Sequence, residues 1–332
     1  MSRLYFDADV DMAVLQSMRV AVVGYGNQGR AQALNLKDSG IDVVVALRAD
    51  SSSIKLATAD GLETSLIEEA VRECDVISLQ VPDQSMPEVY EDYIERHLKP
   101  GKMLLFSHGY NIHYGQIAPP NFVDIGMVAP SGPGYAVREE YKNWRGVPTL
   151  VAVKQDVTGR ARDVVLAYSK AIGGTRLCCF SSNFREETET DLFGEQVILT
   201  GLIPRAINES LKVLLEAGYS PTVAWFVCFY EVRQICELIS KMGIEDFYKA
   251  VSDTAEYGGM SRSKQLMDSS FTDRMRGILD SIQSGEFHRE WQSETEGGYD
   301  ALNKMRESQS KSPLNKLTKE MLAIINKKNE KK

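Results

Sequence analysis

The chain has 332 residues, room for about two domains of roughly 150 residues each, and 43% of it is hydrophobic, enough for a sizeable core. Its 46 acidic side chains outnumber 38 Lys plus Arg, and a formal net charge of -8 supplies no basic field for a phosphate backbone, so nucleic-acid binding is not expected. The longest apolar run, Val223 to Tyr230, falls far short of the roughly 20 residues a membrane span needs, and the start MSRLYFDADVD is too acidic for a signal peptide, so the expectation is a soluble cytoplasmic protein away from membranes.

From the N-terminus to about Phe180, short β-branched runs alternate with helical patterns. Strands are predicted at Arg19–Val23, 42–47, 75–79, 102–106, 122–129, 148–153 and 175–180. This is the alternation of a parallel α/β sheet. After Ser181 the strand signal stops, and helical periodicity follows, with breaks predicted at 218–221, Gly243, Gly258-Gly259 and Gly297-Gly298. The reading is a Rossmann α/β domain over 1–182, an all-α C-terminal domain over 183–328, and a frayed tail over 329–332 at the end of the basic stretch NKKNEKK. The five cysteines form no CxxC pair and are odd in number, which argues for reduced thiols over a zinc cluster or a disulfide framework. Val223–Tyr230 is apolar nearly all round, a pattern that fits either a buried core helix or an oligomer interface.

Val20-Ala21-Val22-Val23 runs into Gly24-Tyr25-Gly26-Asn27-Gln28-Gly29 and then a helical stretch. Glycines between a strand and a helix permit a tight turn and close backbone approach, so a pyrophosphate can sit on the free N–H groups of the helix N-terminus. The second strand ends in Arg48 where an NAD-type site would carry an acid. Arg48 with Ser51, Ser52 and Ser53 offers a guanidinium and hydroxyls to a 2′-phosphate, whereas Asp50 would repel one; NADP(H) is preferred over NAD(H) on this reading.

Further along come FSHGYNIHYG (106–115), MVAPSGPG (127–134), EETETDLFGEQ (186–196) and SDTAEYG (252–258). Together with the glycine turn, and in this order and spacing over nearly the whole chain, these resemble the ketol-acid reductoisomerase family in its short, class I form. The resemblance implies a Rossmann domain followed by a knotted helical domain that completes its active site across a homodimer. It also implies Mg2+-dependent alkyl migration in a 2-acetohydroxy acid of the 2-acetolactate class. NADPH reduction to a 2,3-dihydroxy acid would follow, in branched-chain (isoleucine and valine) amino-acid biosynthesis.

Asp191 and Glu195 are four apart, so on a helix their carboxylates share a face and can hold a hard cation, although the spacing alone favours a solvated acidic face. Glu231 stands among apolar neighbours, where a buried carboxylate would need a metal or a cation. By resemblance, Asp191, Glu195 and Glu231 are the ligands of one or two Mg2+ ions, with Glu231 reaching them from the partner subunit. His108 matches the family's catalytic histidine and Ser252 its substrate-contacting serine. Gly24, Tyr25, Gly26, Asn27, Gln28 and Gly29 fall on the pyrophosphate, Arg48, Ser51 and Ser53 on the adenine end, and Asp83 and Gly134 on the rest of the cofactor.

The turn after Asp83 departs from the family pattern, which tends to have Gln where Met86 stands, and two other departures matter more. Ser131 stands where the family has the Lys of a KGPG motif, and Val227 where it has a Glu four residues before the one matched by Glu231; the neighbouring family His is Tyr230. Losing a cation and a carboxylate should weaken the second metal most and spare ketone reduction more than migration. Glu187 or Glu189 could replace the missing ligand. The alternatives are an NADPH-dependent 2-keto acid or imine reductase without isomerase activity, and an inactive partner subunit.

Overall fold

The computed structural model describes residues 3–329; apart from Asn329, the tail expected to fray lies outside the described residues. The chain divides into two compact units, Met1–Thr190 and Asp191–Lys332. The division falls inside the helix Phe184–Gly194, whereas the boundary expected from sequence lies just before that helix.

The first unit is built on one nine-stranded sheet: β1 (Leu4–Tyr5), β2 (Arg19–Val23), β3 (Asp42–Leu47), β4 (Glu63–Leu66), β5 (Val76–Leu79), β6 (Met103–Phe106), β7 (Asp124–Pro130), β8 (Thr149–Gln155) and β9 (Cys179–Ser181). The order is β1-β9-β8-β7-β6-β5-β2-β3-β4. The six strands β4-β3-β2-β5-β6-β7 are all parallel, and their order is that of the dinucleotide-binding fold, with the reversal between β2 and β5. Along β2 the side chains alternate: Val20 and Val22 join the core on one face, Ala21 and Val23 the core on the other. Helices Asn27–Asp38 and Ala161–Ala171 supply the first face with Leu36, Val165 and Tyr168, all essentially without exposure.

Three further strands extend the parallel sheet with other pairings. β8 runs antiparallel to β7 because it starts where β7 stops, with Pro130 opposite Thr149. β9 follows β8 in parallel, and β1 closes the edge antiparallel to β9. Strands buried on both faces read as the same apolar runs whichever way they point, so the sequence carried no sign of direction. The edge strands β1 and β4 were missed because one has two residues and the other, Glu63-Thr64-Ser65-Leu66, has little apolar character. The strand predicted over 175–180 begins only at Cys179, since Gly174–Arg176 forms a 3-10 turn.

After β9 the described residues are helical or connecting. Gly218 (φ 86°) stands in the break after Ile203–Glu216, Gly243 (φ 77°) kinks Glu231–Ala250, and Gly298 (φ 81°) separates Glu286–Glu296 from Asp300–Ser310. No break occurs at Gly258-Gly259: the helix Asp253–Leu266 passes through both. Glycine in a helix costs about 1 kcal/mol relative to alanine, which the Ser252 cap can offset in part. Among the described residues, no helix is long and apolar enough to cross a membrane.

Candidate active site

The turn after β2 shows why its glycines are needed. Gly24 has φ 99°, and a Cβ there would lie 2.9 Å from the Gln80 carbonyl oxygen; a Cβ on Gly29 would lie 2.4 Å from the Gly24 carbonyl oxygen. Gly26 differs, because a Cβ there would meet nothing within 4 Å. It caps the helix Asn27–Asp38 and leaves bare backbone facing open space, the cradle an anion needs at a helix N-terminus. Gly134 closes the other side: a Cβ there would stand 2.1 Å from the Asn27 carbonyl oxygen.

Two of the residues expected on the pyrophosphate have side chains committed inside the protein. The buried Tyr25 donates its hydroxyl to Asp60 (2.8 Å), and Asp60 also receives Arg30 (2.7 and 3.0 Å). Burial first, and Asp60 second, hold the Tyr25 phenol protonated well above its usual range, while Arg30 holds the Asp60 carboxyl below its own. Gln28 donates to the Gly132 carbonyl (2.9 Å), tying the glycine turn to the SGPG loop. The main chain of both residues and the second amide hydrogen of Gln28 are left to meet a phosphate.

At the end of β3, Arg48 stands 4.0 Å from Asp50, and both line a cavity of about 330 Å³ with Leu66, Glu68 and Tyr93. This cavity holds one guanidinium and two carboxylates. It therefore offers a cation to a 2′-phosphate and acceptors to a ribose diol. The Ser51 hydroxyl accepts from the Ser53 N–H (3.3 Å) at the start of helix Ser53–Ala59, and Asp83 accepts from Asn111 through its carbonyl (3.1 Å) and its side chain (3.3 Å).

His108 stands two residues beyond β6, half-buried. Its Nδ1 donates to Glu187 Oε1 (2.9 Å), and the Gly109 N–H donates to Glu187 Oε2 (2.8 Å). A carboxylate only accepts, so this pair puts a proton on Nδ1, and a neutral imidazole held this way keeps Nε2 as its acceptor. Glu187 is 5% exposed, and Gly109 is required because a Cβ would stand 2.5 Å from Thr188 Oγ1. Sequence reasoning treated Glu187 only as a substitute ligand and missed this role. The available signal was its spacing, four residues before Asp191 and eight before Glu195. Glu189 is engaged as well, with Arg185 (2.9 Å) and His113 (3.5 Å).

Asp191 lies one turn beyond Glu187 on the same helix, exposed, with carboxylate oxygens of the two within 4.8 Å. In the second unit, Glu195 opens a π-helical stretch, Glu195–Leu202, and Glu231 follows another, Phe226–Tyr230. Such wide turns often mark functional positions. Glu231 is exposed, so the argument that burial forces a metal or cation on it fails: its apolar neighbours in sequence do not enclose it. Ser252 caps the helix Asp253–Leu266, accepting from the Ala255 N–H at 3.3 Å. Ser131 is exposed, and Val227 stands on an open apolar face with Val223, Phe226 and Tyr230.

The first unit matches the acetohydroxy acid isomeroreductase NADPH-binding domain over residues 14–178, and the helical part matches the ketol-acid reductoisomerase C-terminal domain over residues 184–327. Among solved structures, an NADH-preferring ketol-acid reductoisomerase from an uncultured archaeon is 39% identical, with a TM-score of 0.94 over 97% of this chain and 98% of that one. A semialdehyde dehydrogenase NAD-binding protein from Cupriavidus necator shares the fold alone, at 18% identity and a TM-score of 0.63 over 80% of this chain and 99% of its own. So does a pyrroline carboxylate reductase from Plasmodium falciparum, at 14% identity and a TM-score of 0.52 over 81% and 98%. With both halves matched in order on a dinucleotide-binding sheet and a helical region, this chain belongs to the ketol-acid reductoisomerase family in its short form, an NAD(P)-dependent oxidoreductase.

Proposed function

We propose that the protein carries out the Mg2+-dependent alkyl migration of a 2-acetohydroxy acid of the 2-acetolactate class and its reduction to a 2,3-dihydroxy acid. The observation that carries this reading is the His108–Glu187 couple, seated at the start of the helix that continues to Asp191 and Glu195. Glu187 holds the imidazole in one tautomer, so that Nε2 can exchange a proton with an oxygen of the substrate. Ser252 orients the substrate through its hydroxyl.

Asp191, Glu195 and Glu231 of the partner subunit form a set of hard oxygen donors without a thiolate, which fits Mg2+. When bound, the metal supplies charge stabilisation to the substrate's oxygens during migration. Glu187 is not counted in this set, because both of its oxygens are held within the first unit. The contribution of a second copy is supported by the exposed stripe of Val223 (60%), Phe226 (36%), Val227 (51%) and Tyr230 (43%), which repeats at helical spacing and needs cover. We therefore take the working unit to be a homodimer.

The nicotinamide cofactor is assigned as NADP(H), with Arg48, Ser51 and Ser53 at the 2′-phosphate. Asp50 and Glu68 in the same cavity oppose that choice, and the archaeal relative prefers NADH. A second reading, a keto acid reductase that has lost migration, rests on Ser131 and Val227. Reduction asks for an oriented carbonyl, a hydride donor and one electrophile, whereas migration leans on the full set of carboxylates.

The test is oxidation of NADPH and of NADH with Mg2+, comparing 2-acetolactate with 3-hydroxy-3-methyl-2-oxobutanoate, the already migrated ketone. Turnover of both establishes the bifunctional reaction, and turnover of the second alone leaves a reductase. Turnover of neither refutes both and favours an inactive partner subunit. In the reductase case, Ser131→Lys with Val227→Glu should restore turnover of 2-acetolactate while NADPH affinity stays flat.

A further inference from the structure

Beneath the glycine turn lies a polar network in an otherwise apolar core. Gln32, Ser78 and Tyr168 are without exposure, and each is fully engaged. Gln80 Nε2 donates to the hydroxyls of Ser78 (2.9 Å) and Ser107 (2.7 Å). Ser78 stands 3.0 Å from the Tyr168 hydroxyl, which donates to Gln32 Oε1 (2.9 Å). Gln32 Nε2 donates to Ser107 (2.9 Å).

With the amides of Gln32 and Gln80 oriented as they are, each also facing the other (3.4 and 3.3 Å), these contacts have one consistent polarity. Because the Ser78 oxygen already accepts from Gln80 and Tyr168 already donates to Gln32, the Ser78 proton goes to Tyr168. Both branches end on the Ser107 oxygen, which accepts from two amides and has no lone pair left. A hydroxyl so placed can act only as a donor. No described residue accepts its proton.

Ser107 is half-exposed and is the first residue beyond the carboxyl end of β6, beside His108. Gln80, one of its two donors, abuts the glycine turn: its N–H donates to the Val23 carbonyl (2.8 Å), and its own carbonyl is what a Cβ on Gly24 would strike. In open parallel sheets, ligands bind outside the carboxyl ends of the strands next to the order reversal, where β2, β5 and β6 end here.

We propose that the Ser107 hydroxyl is a fixed hydrogen-bond donor to an oxygen of the nicotinamide nucleoside half of the bound cofactor, with Gln32, Gln80, Ser78 and Tyr168 as the positioning residues that set its polarity. The assignment rests on the nicotinamide cofactor reading above. It adds a cofactor contact between the pyrophosphate turn and the catalytic histidine.

The experiment is calorimetric titration of the full-length protein with NADPH and with 2′,5′-ADP, which lacks the nicotinamide half. Ser107→Ala should raise the NADPH Kd about 3- to 10-fold, the worth of one hydrogen bond, and leave 2′,5′-ADP unchanged. Ser107→Thr keeps the donor and should stay within about 2-fold of wild type. In a Tyr168→Phe background, where Gln32 loses the donor that orients it, Ser107→Ala should cost less than in wild type. Unchanged NADPH affinity in Ser107→Ala overturns the proposal and leaves the hydroxyl a purely internal link. Equal weakening of both ligands also overturns it, because the whole turn has then deformed. A wild-type protein that binds neither NADPH nor NADH would sink the cofactor reading itself, a distinguishable failure that removes this assignment with it.

Discussion

The two units solve the same problem of burying apolar surface in opposite ways. In the first, strands buried on both faces give two cores that share a sheet, and even its polar interior is paired, as with Asn35 held to the carbonyls of Val137 (3.2 Å) and Ile172 (3.1 Å). In the second, the described apolar side chains that are buried reduce to Leu192, Val197, Leu211, Ala224, Trp225, Ile282 and Met321. Large ones stand open, including Leu199 (58%), Val213 (62%), Ile244 (65%) and Leu266 (80%). So small a core contributes little against the conformational entropy of folding, a deficit that the proposed dimer would reduce. A parallel sheet with covered faces finishes its core within one chain; amphipathic helices finish theirs only against another surface.

The largest expected effect breaks that contrast. Placing charges on the open stripe with Val223→Glu and Phe226→Glu should abolish the proposed dimer in analytical ultracentrifugation and lower turnover by at least about 100-fold, as desolvating unpaired carboxylates opposes association. Binding of NADPH should persist, because the first unit has its own core. Loss of NADPH binding together with the dimer would show that the units are not independent in this sense.

A second prediction stays within the first unit. His108→Ala should lower kcat by about 10²- to 10⁴-fold, the usual worth of a positioned acid–base group, with little change in cofactor affinity. Glu187→Gln should cost less, about 10-fold or more, and should shift the pH profile, because an amide cannot hold the imidazole as a carboxylate does. An unshifted profile would reduce Glu187 to a packing residue.

Arg48→Ala should raise the NADPH Kd by about 10-fold and leave NADH within about 2-fold, since only the former offers a 2′-phosphate to a guanidinium. Equal effects on both would place Asp50 and Glu68, and not Arg48, at the adenine ribose.

The smallest effect concerns the Tyr25–Asp60–Arg30 cluster. The Arg30 guanidinium depresses the folded-state pKa of Asp60, so its contribution is present above the usual aspartate value of about 3.9 and is lost as pH falls through the lower folded value. Arg30 is 46% exposed, so solvent screening limits the contribution to about 1 kcal/mol or less. Thermal unfolding of Asp60→Asn should therefore fall slightly below wild type at pH 7, and the two curves should converge as pH drops below about 3.9. A gap that persists at pH 2 would assign the loss to the Tyr25 hydrogen bond.

The contrast between the units also explains what could be read in advance. Strands such as Asp42–Leu47 are unbroken β-branched runs, and the glycine turn is punctuated at positions where a Cβ collides, so both were legible. Gly258-Gly259 misled because glycine lowers helix propensity without forbidding a helix, and the capped helix Asp253–Leu266 runs through both although none of its residues is buried. Glu231 misled because neighbours in sequence are not neighbours in space: Val227 and Tyr230, which seemed to enclose it, are themselves exposed. His108 was found by its motif, while its partner Glu187 lies 79 residues away, a pairing that no local pattern encodes.

What the sequence by itself determined is therefore local: the period of each element, the turn that a pyrophosphate can approach, and the family pattern with its departures, chiefly at Ser131 and Val227. The direction of β8, the tautomer of His108 and the polarity of the Ser107 network belong to the tertiary structure. Each depends on which distant groups meet, and hydrogen bonds and strand pairing are set by distance in space, not along the chain.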